Sequence, residues 1–85
     1  MINDLKIRKA GERDINISWT LENFESVILC NVLANQGGIC KTIGVDKSTN
    51  NLTIQNLDIG LIYEIQIRVL TETGWHTSDM LEVSV

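Results

Sequence analysis

The sequence predicts a small all-β protein, a seven-stranded antiparallel β-sandwich, and three observations carry that reading. From Tyr63 onward, apolar side chains fall on odd positions (Tyr63, Ile65, Ile67, Val69) and polar ones (Glu64, Gln66, Arg68) on even positions. Period two is the pattern of a strand with one buried and one wet face. Tyr63 also opens this strand directly after the turn sequence Leu57-Asp58-Ile59-Gly60. A tyrosine where the chain crosses between sheets can pack its ring inward and bond its hydroxyl to backbone upstream. Short apolar runs recur between turn signals along the whole chain, and no stretch reads as a helix.

The elements follow in order. Leu5 and Ile7 alternate with Lys6 and Arg8 in a first strand that Gly11 ends. Ile15, Ile17 and Trp19 share one face of the second, with Trp19 in the core. Residues 26–34 make the third strand, in which Val27, Ile28, Leu29, Cys30, Val32, Leu33 and Ala34 put apolar groups on both faces. A solvated sheet face should be polar at alternate positions. The strand is therefore shifted by a bulge, or covered by a neighbour, or leaves apolar surface exposed; a contiguous patch of that kind tends to mark a contact site. Asn35-Gln36-Gly37-Gly38 is a turn rich in residues that tolerate positive φ. Residues 39–45 make a fourth strand, 46–50 a polar loop, and Leu52 and Ile54 carry the fifth. The sixth runs over 61–71 and the last over 80–85.

The stretch Leu57 to Val69 resembles the E–F corner and F strand of a fibronectin type III domain, which commonly reads L-x-P-G-x-x-Y-x-V-x-V-x-A. Ile15 to Thr20 resembles the B strand of that family, Thr71-Glu72-Thr73-Gly74 its F–G turn, and Leu81 to Val85 its closing G strand. Ile59 stands where the family usually has proline, and the chain contains none. The resemblance implies an immunoglobulin-like Greek key with Trp19, Leu57, Tyr63, Ile65 and Ile67 in the core. It also implies a non-catalytic module of a larger extracellular or cell-surface protein, serving adhesion, protein interaction or spacing. The alternative is an accessory spacer in a bacterial secreted carbohydrate-active enzyme. Residues 72–77 match a loop that often serves recognition in the family. Trp75, His76 and Thr77 are accordingly candidate partner contacts, for a protein or a glycan, with the C–C′ sheet face as a second surface; the alternative for Trp75 is a lid folded over the sandwich end that shields Leu70 or Met80.

Length and charge bound the remaining possibilities. At 85 residues the chain reads as one domain, 1–85, which buries roughly 60–65% of its unfolded surface. The 44% hydrophobic and 21% charged fractions are those of a globular chain. No apolar run reaches the roughly 18–20 residues that span a bilayer, and the N-terminus lacks the order of a signal peptide. A net charge of −4 disfavours nucleic acid or anionic lipid, which need clustered Lys and Arg. The one basic cluster, Lys6, Arg8, Lys9 and Arg13, is offset by Glu12 and Asp14. His76 is the only histidine, so any His-dependent catalysis must use it. One His and two Cys without a CxxC spacing do not make a zinc site, and Asp46 and Asp58 form no calcium loop. No catalytic residue, metal or cofactor is expected.

Cys30 and Cys40 flank the Gly-rich turn. If that turn is a tight one at Gln36-Gly37, Cys30 opposes Ile43 and Cys40 opposes Leu33, with the two sulfurs on opposite faces. Free thiols are the expectation, and only a loop centred on Asn35 would bring the two together. Two sequons, Asn16-Ile17-Ser18 and Asn51-Leu52-Thr53, offer Asn16 and Asn51 as glycosylation sites on the wet face.

Overall fold

A computed structural model describes residues 1–85. Eight strands form: β1 (Ile2–Lys9), β2 (Ile15–Leu21), β3 (Leu29–Gln36), β4 (Ile39–Val45), β5 (Asn51–Ile54), β6 (Ile62–Thr71), β7 (Gly74–Thr77) and β8 (Leu81–Ser84). β1, β2 and β5 make a three-stranded sheet. The other sheet has five strands in the order β4-β3-β6-β7, with β8 also paired to β6. All pairings are antiparallel.

Alternation builds the core between the two sheets. β2 turns Ile15, Ile17 and Trp19 inward, and β5 adds Ile54. From the other sheet come Cys30, Val32 and Ala34 on β3 and Tyr63, Ile65, Ile67 and Val69 on β6, all buried. Each fully buried large side chain contributes roughly 1.5–3 kcal/mol. Leu57, at the corner, is half-buried and packs against this cluster.

The eighth strand is β7: residues 74–77, expected within the F–G turn, pair with β6 instead, ahead of the expected closing strand, which is β8. β7 pairs Arg68 with Thr77, and β8 pairs Ile65 with Leu81, so the register slips by one residue between them. Ser78 sits in the slip. It donates its N–H to the Ile67 carbonyl at 2.8 Å, and its Oγ accepts the Ile67 N–H at 2.8 Å. The hydroxyl thus replaces the ladder carbonyl that the bulge removes. The slip leaves Trp75 and Thr77 facing outward while Leu81 and Val83 face inward, although all four numbers are odd.

Three further details differ from the sequence reading. Residues 24–26, expected at or before the start of a strand, form a 3₁₀ turn, Phe24–Ser26, after Asn23 at φ 54°. The Ser26 hydroxyl donates to the Asn23 carbonyl at 2.8 Å. A single turn this short carries no periodicity to read, and its role is to return Val27 to the core. The third strand consequently starts at Leu29 and runs to Gln36. Finally, the β3–β4 hairpin turns at Gly37-Gly38, with φ of 57° and 83°, so Cys30 faces Val45 and Cys40 faces Asn35. Two successive positive φ values are the habit of a type I′ hairpin, and only glycine takes both without strain.

Candidate functional site

The outer face of the five-stranded sheet collects the chain's most unusual surface, and the strand register arranges it in rows. Leu29, Leu70 and Trp75 lie side by side across β3, β6 and β7. In the next row stand Gly44, Asn31, Arg68 and Thr77, and then Thr42, Leu33 and Gln66. Cys40, Asn35, Glu64 and Glu82 form a fourth row. Leu29 is 50% exposed and Trp75 46% exposed, so the first row is an apolar strip open to solvent.

Arg68 is set into this strip. Its guanidinium carbon lies 4.2 Å from the centroid of the Trp75 ring, a cation–π contact. The Nε of Arg68 is buried and has no hydrogen-bond partner. The one ion pair in the protein is elsewhere, between Arg13 and Asp58 at 3.5 Å with both side chains well exposed, and such pairs add little stability. Arg68 does not stand out in the sequence. The sequence places Trp75 in a turn, whereas the turn is Glu72-Thr73 and Trp75 lies inside β7 opposite Leu70. With the turn placed correctly, an outward Arg diagonal to an outward Trp is legible.

The three candidate contact residues do not share a face. Trp75 and Thr77 point outward, while His76 stands opposite buried Val69 on the inner side. The His76 Nε2 is 3.1 Å from both Thr71 Oγ1 and Thr73 Oγ1, which are 2.9 Å from each other. This hydroxyl–imidazole triangle ties β7 back to the end of β6. All three atoms hold each other, with Thr73 exposed and His76 half-buried.

Tyr63 is buried at 8% exposure, and its hydroxyl accepts the Asp58 N–H at 2.9 Å. Arg13 clamps the same corner by donating Nε–H to the Leu57 carbonyl at 2.7 Å. Of the basic cluster, Lys9 is also engaged locally, reaching the Glu12 carbonyl at 3.1 Å.

On the other sheet the two sequons interlock. β2 and β5 place Asn16 against Thr53 and Ser18 against Asn51. Asn16 Nδ2 donates to Thr53 Oγ1 at 3.1 Å, whereas Asn51 is exposed and donates only to its neighbour Asn50 at 3.2 Å. A shallow polar depression with Lys6, Arg8, Asn16, Ser18 and Asn51 in its lining covers this face. Cys30 and Cys40 are both free, the first buried and the second exposed. Burial pushes the Cys30 thiol above its ordinary pKa. In the 46–50 loop, hydrogen bonds from the Ser48 hydroxyl and backbone N–H, helped by Lys47, hold the Asp46 carboxyl below the ordinary aspartate range.

Compared with protein-family profiles and with curated proteins, the sequence matches none. Comparison with solved structures is decisive for the architecture. A human collagen XX FN3 domain superposes with a TM-score of 0.86 at 16% identity, over 99% of this chain and 88% of that one. The chain has the fibronectin type III fold.

Longer structures contain the same unit. The chicken CNTN1 FN1–FN3 fragment matches with a TM-score of 0.83 at 15% identity, over 96% of this chain and 30% of that one. Domains d3–d4 of the rat CD45 extracellular region match with a TM-score of 0.83 at 18% identity, over 99% of this chain and 48% of that fragment. This chain thus spans less than a third of the one and about half of the other. Within the fibronectin type III framework, β6 is the F strand, β3 and β4 are C and C′, and β7 with β8 is a G strand split at Ser78.

Proposed function

We propose that residues 1–85 are a single non-catalytic module of a larger extracellular or cell-surface protein, and that the module engages a protein through the outer face of its five-stranded sheet. The observation that carries this reading is the Leu29–Leu70–Trp75 row with Arg68 stacked on the indole. An exposed apolar strip with a rigidly held Trp and Arg has the composition of an interface hot spot. The rat CD45 fragment is extracellular by its description, and the chicken CNTN1 fragment carries three domains in series. Both support a modular, extracellular setting. Asn51, exposed within its sequon, would accept a glycan in that setting.

Two measurements test the reading. Sequence flanking the coding region should reveal a membrane anchor or secretion leader with further modules; a flanking glycoside hydrolase domain would assign the chain instead to a secreted enzyme. Trp75→Ala should remove binding of the immobilised domain to surface proteins of its native host while shifting the melting temperature by no more than a few degrees. Undiminished binding by a folded Trp75→Ala variant would overturn the contact assignment.

A further inference from the structure

Resting on the reading of this sheet face as a protein contact, we propose that its partner is a second copy of the same chain, paired about a two-fold axis. The face is charged in two blocks of opposite sign. Glu64 and Glu82 stand directly opposite each other on β6 and β8, and neither has an ion-pair partner. Like charges so placed repel. Four residues along the same strand, Arg68 is fixed on Trp75 with no carboxylate partner and with its Nε–H unpaired. Between the blocks the face is neutral, carrying Leu33 and Gln66.

Such a pattern is complementary to itself. Consider a two-fold axis lying parallel to the sheet, perpendicular to the strands and passing over Gln66. It lays β6 antiparallel across β6 of the second copy. Arg68 then faces Glu64 of the second copy, with Glu82 beside it, and the contact repeats on the other side of the axis. Leu70 meets Ile62, which is 54% exposed, and Leu33 and Gln66 meet themselves. Every outward residue of β6 gains a suitable neighbour, as an isologous interface requires. With strands about 4.8 Å apart and residues rising about 3.3 Å, four strands present about 500 Å² per copy. That is near the lower limit of specific interfaces, so the pairing is weak and depends on concentration.

Charge reversal tests it. Sedimentation velocity on the folded chain, up to about 1 mM and with a reductant so that exposed Cys40 cannot cross-link copies, should show a monomer–dimer equilibrium. Arg68→Glu and Glu64→Arg should each raise the dissociation constant about tenfold or more, since each sets like charges against each other. An equimolar mixture of the two variants should restore association. One variant then carries acidic groups at both positions and the other basic groups at both, so both 64–68 contacts across the axis pair opposite charges, and the unchanged Glu82 of the basic variant is the one like charge left beside them. If circular dichroism shows Arg68→Glu unfolded for want of its stack on Trp75, Leu33→Arg at the axis replaces it and should give a monomer. A wild-type chain monomeric over the whole range, or a dimer unmoved by the reversals, overturns the proposal. Binding of host proteins through Trp75 is read separately and does not depend on this outcome.

Discussion

The Tyr63 hydroxyl accepts the backbone N–H of Asp58 at 2.9 Å, tying the F strand to the corner that precedes it. The ring is buried while the bond closes a loop that would otherwise hold only through Arg13 and the backbone. Tyr63→Phe preserves the ring and orphans the Asp58 N–H, so it should cost about 1–3 kcal/mol in urea unfolding. Trp19→Ala in the same core should cost about 3–5 kcal/mol, enough to unfold a domain of this size. Parent-like melting of both variants would contradict the packing described.

Ser78 supplies a second test. Its Oγ is the acceptor for the Ile67 N–H at the register slip. Ser78→Ala leaves that part-buried donor without a partner and should cost about 1–3 kcal/mol. Ser78→Thr keeps the hydroxyl and should recover most of the loss. Equal stability of the alanine variant and the parent would mean that water replaces the hydroxyl freely.

The thiols should react in two phases. Cys40 is exposed and Cys30 buried, and burial raises the Cys30 pKa, which leaves little thiolate near neutral pH. A thiol reagent should therefore modify Cys40 quickly and Cys30 only on unfolding, for a total of two equivalents in denaturant. A mass two hydrogens lower in the unreduced monomer would show a disulfide instead.

The Asp46 loop has a pH dependence of defined sign. Its folded-state pKa is depressed by the Ser48 hydrogen bonds. The stabilisation is therefore present above the ordinary aspartate pKa and is lost as pH falls through the lower folded value. The Ser48 amide resonance, followed by NMR, should titrate with a midpoint below that of an unstructured aspartate. A midpoint at or above it would refute the bonding.

Much of the site remained hidden until the strands were paired. The patterns of β2 and β6 are local, so Trp19 and the odd residues from Tyr63 to Val69 could be assigned to the core directly. The surface could not. Whether Trp75 points outward depends on where the Glu72-Thr73 turn falls, and a shift of one residue exchanges the two faces. Moving the β3–β4 turn from Gln36-Gly37 to Gly37-Gly38 changed every partner of Cys30 and Cys40. The sulfurs stay on opposite faces, with Cys30 in the core and Cys40 in the outer row beside Asn35.

The sequence by itself determined the all-β class, the sandwich and the corner tyrosine, because each depends on side-chain alternation or on turn residues adjacent in the chain. Only the tertiary structure decided which surface residues meet. The stack of Arg68 on Trp75, the opposition of Glu64 and Glu82 and the inward turn of His76 all depend on register across β6. Register follows from the Ser78 bulge and the hairpin turns acting together, and no single segment carries that information.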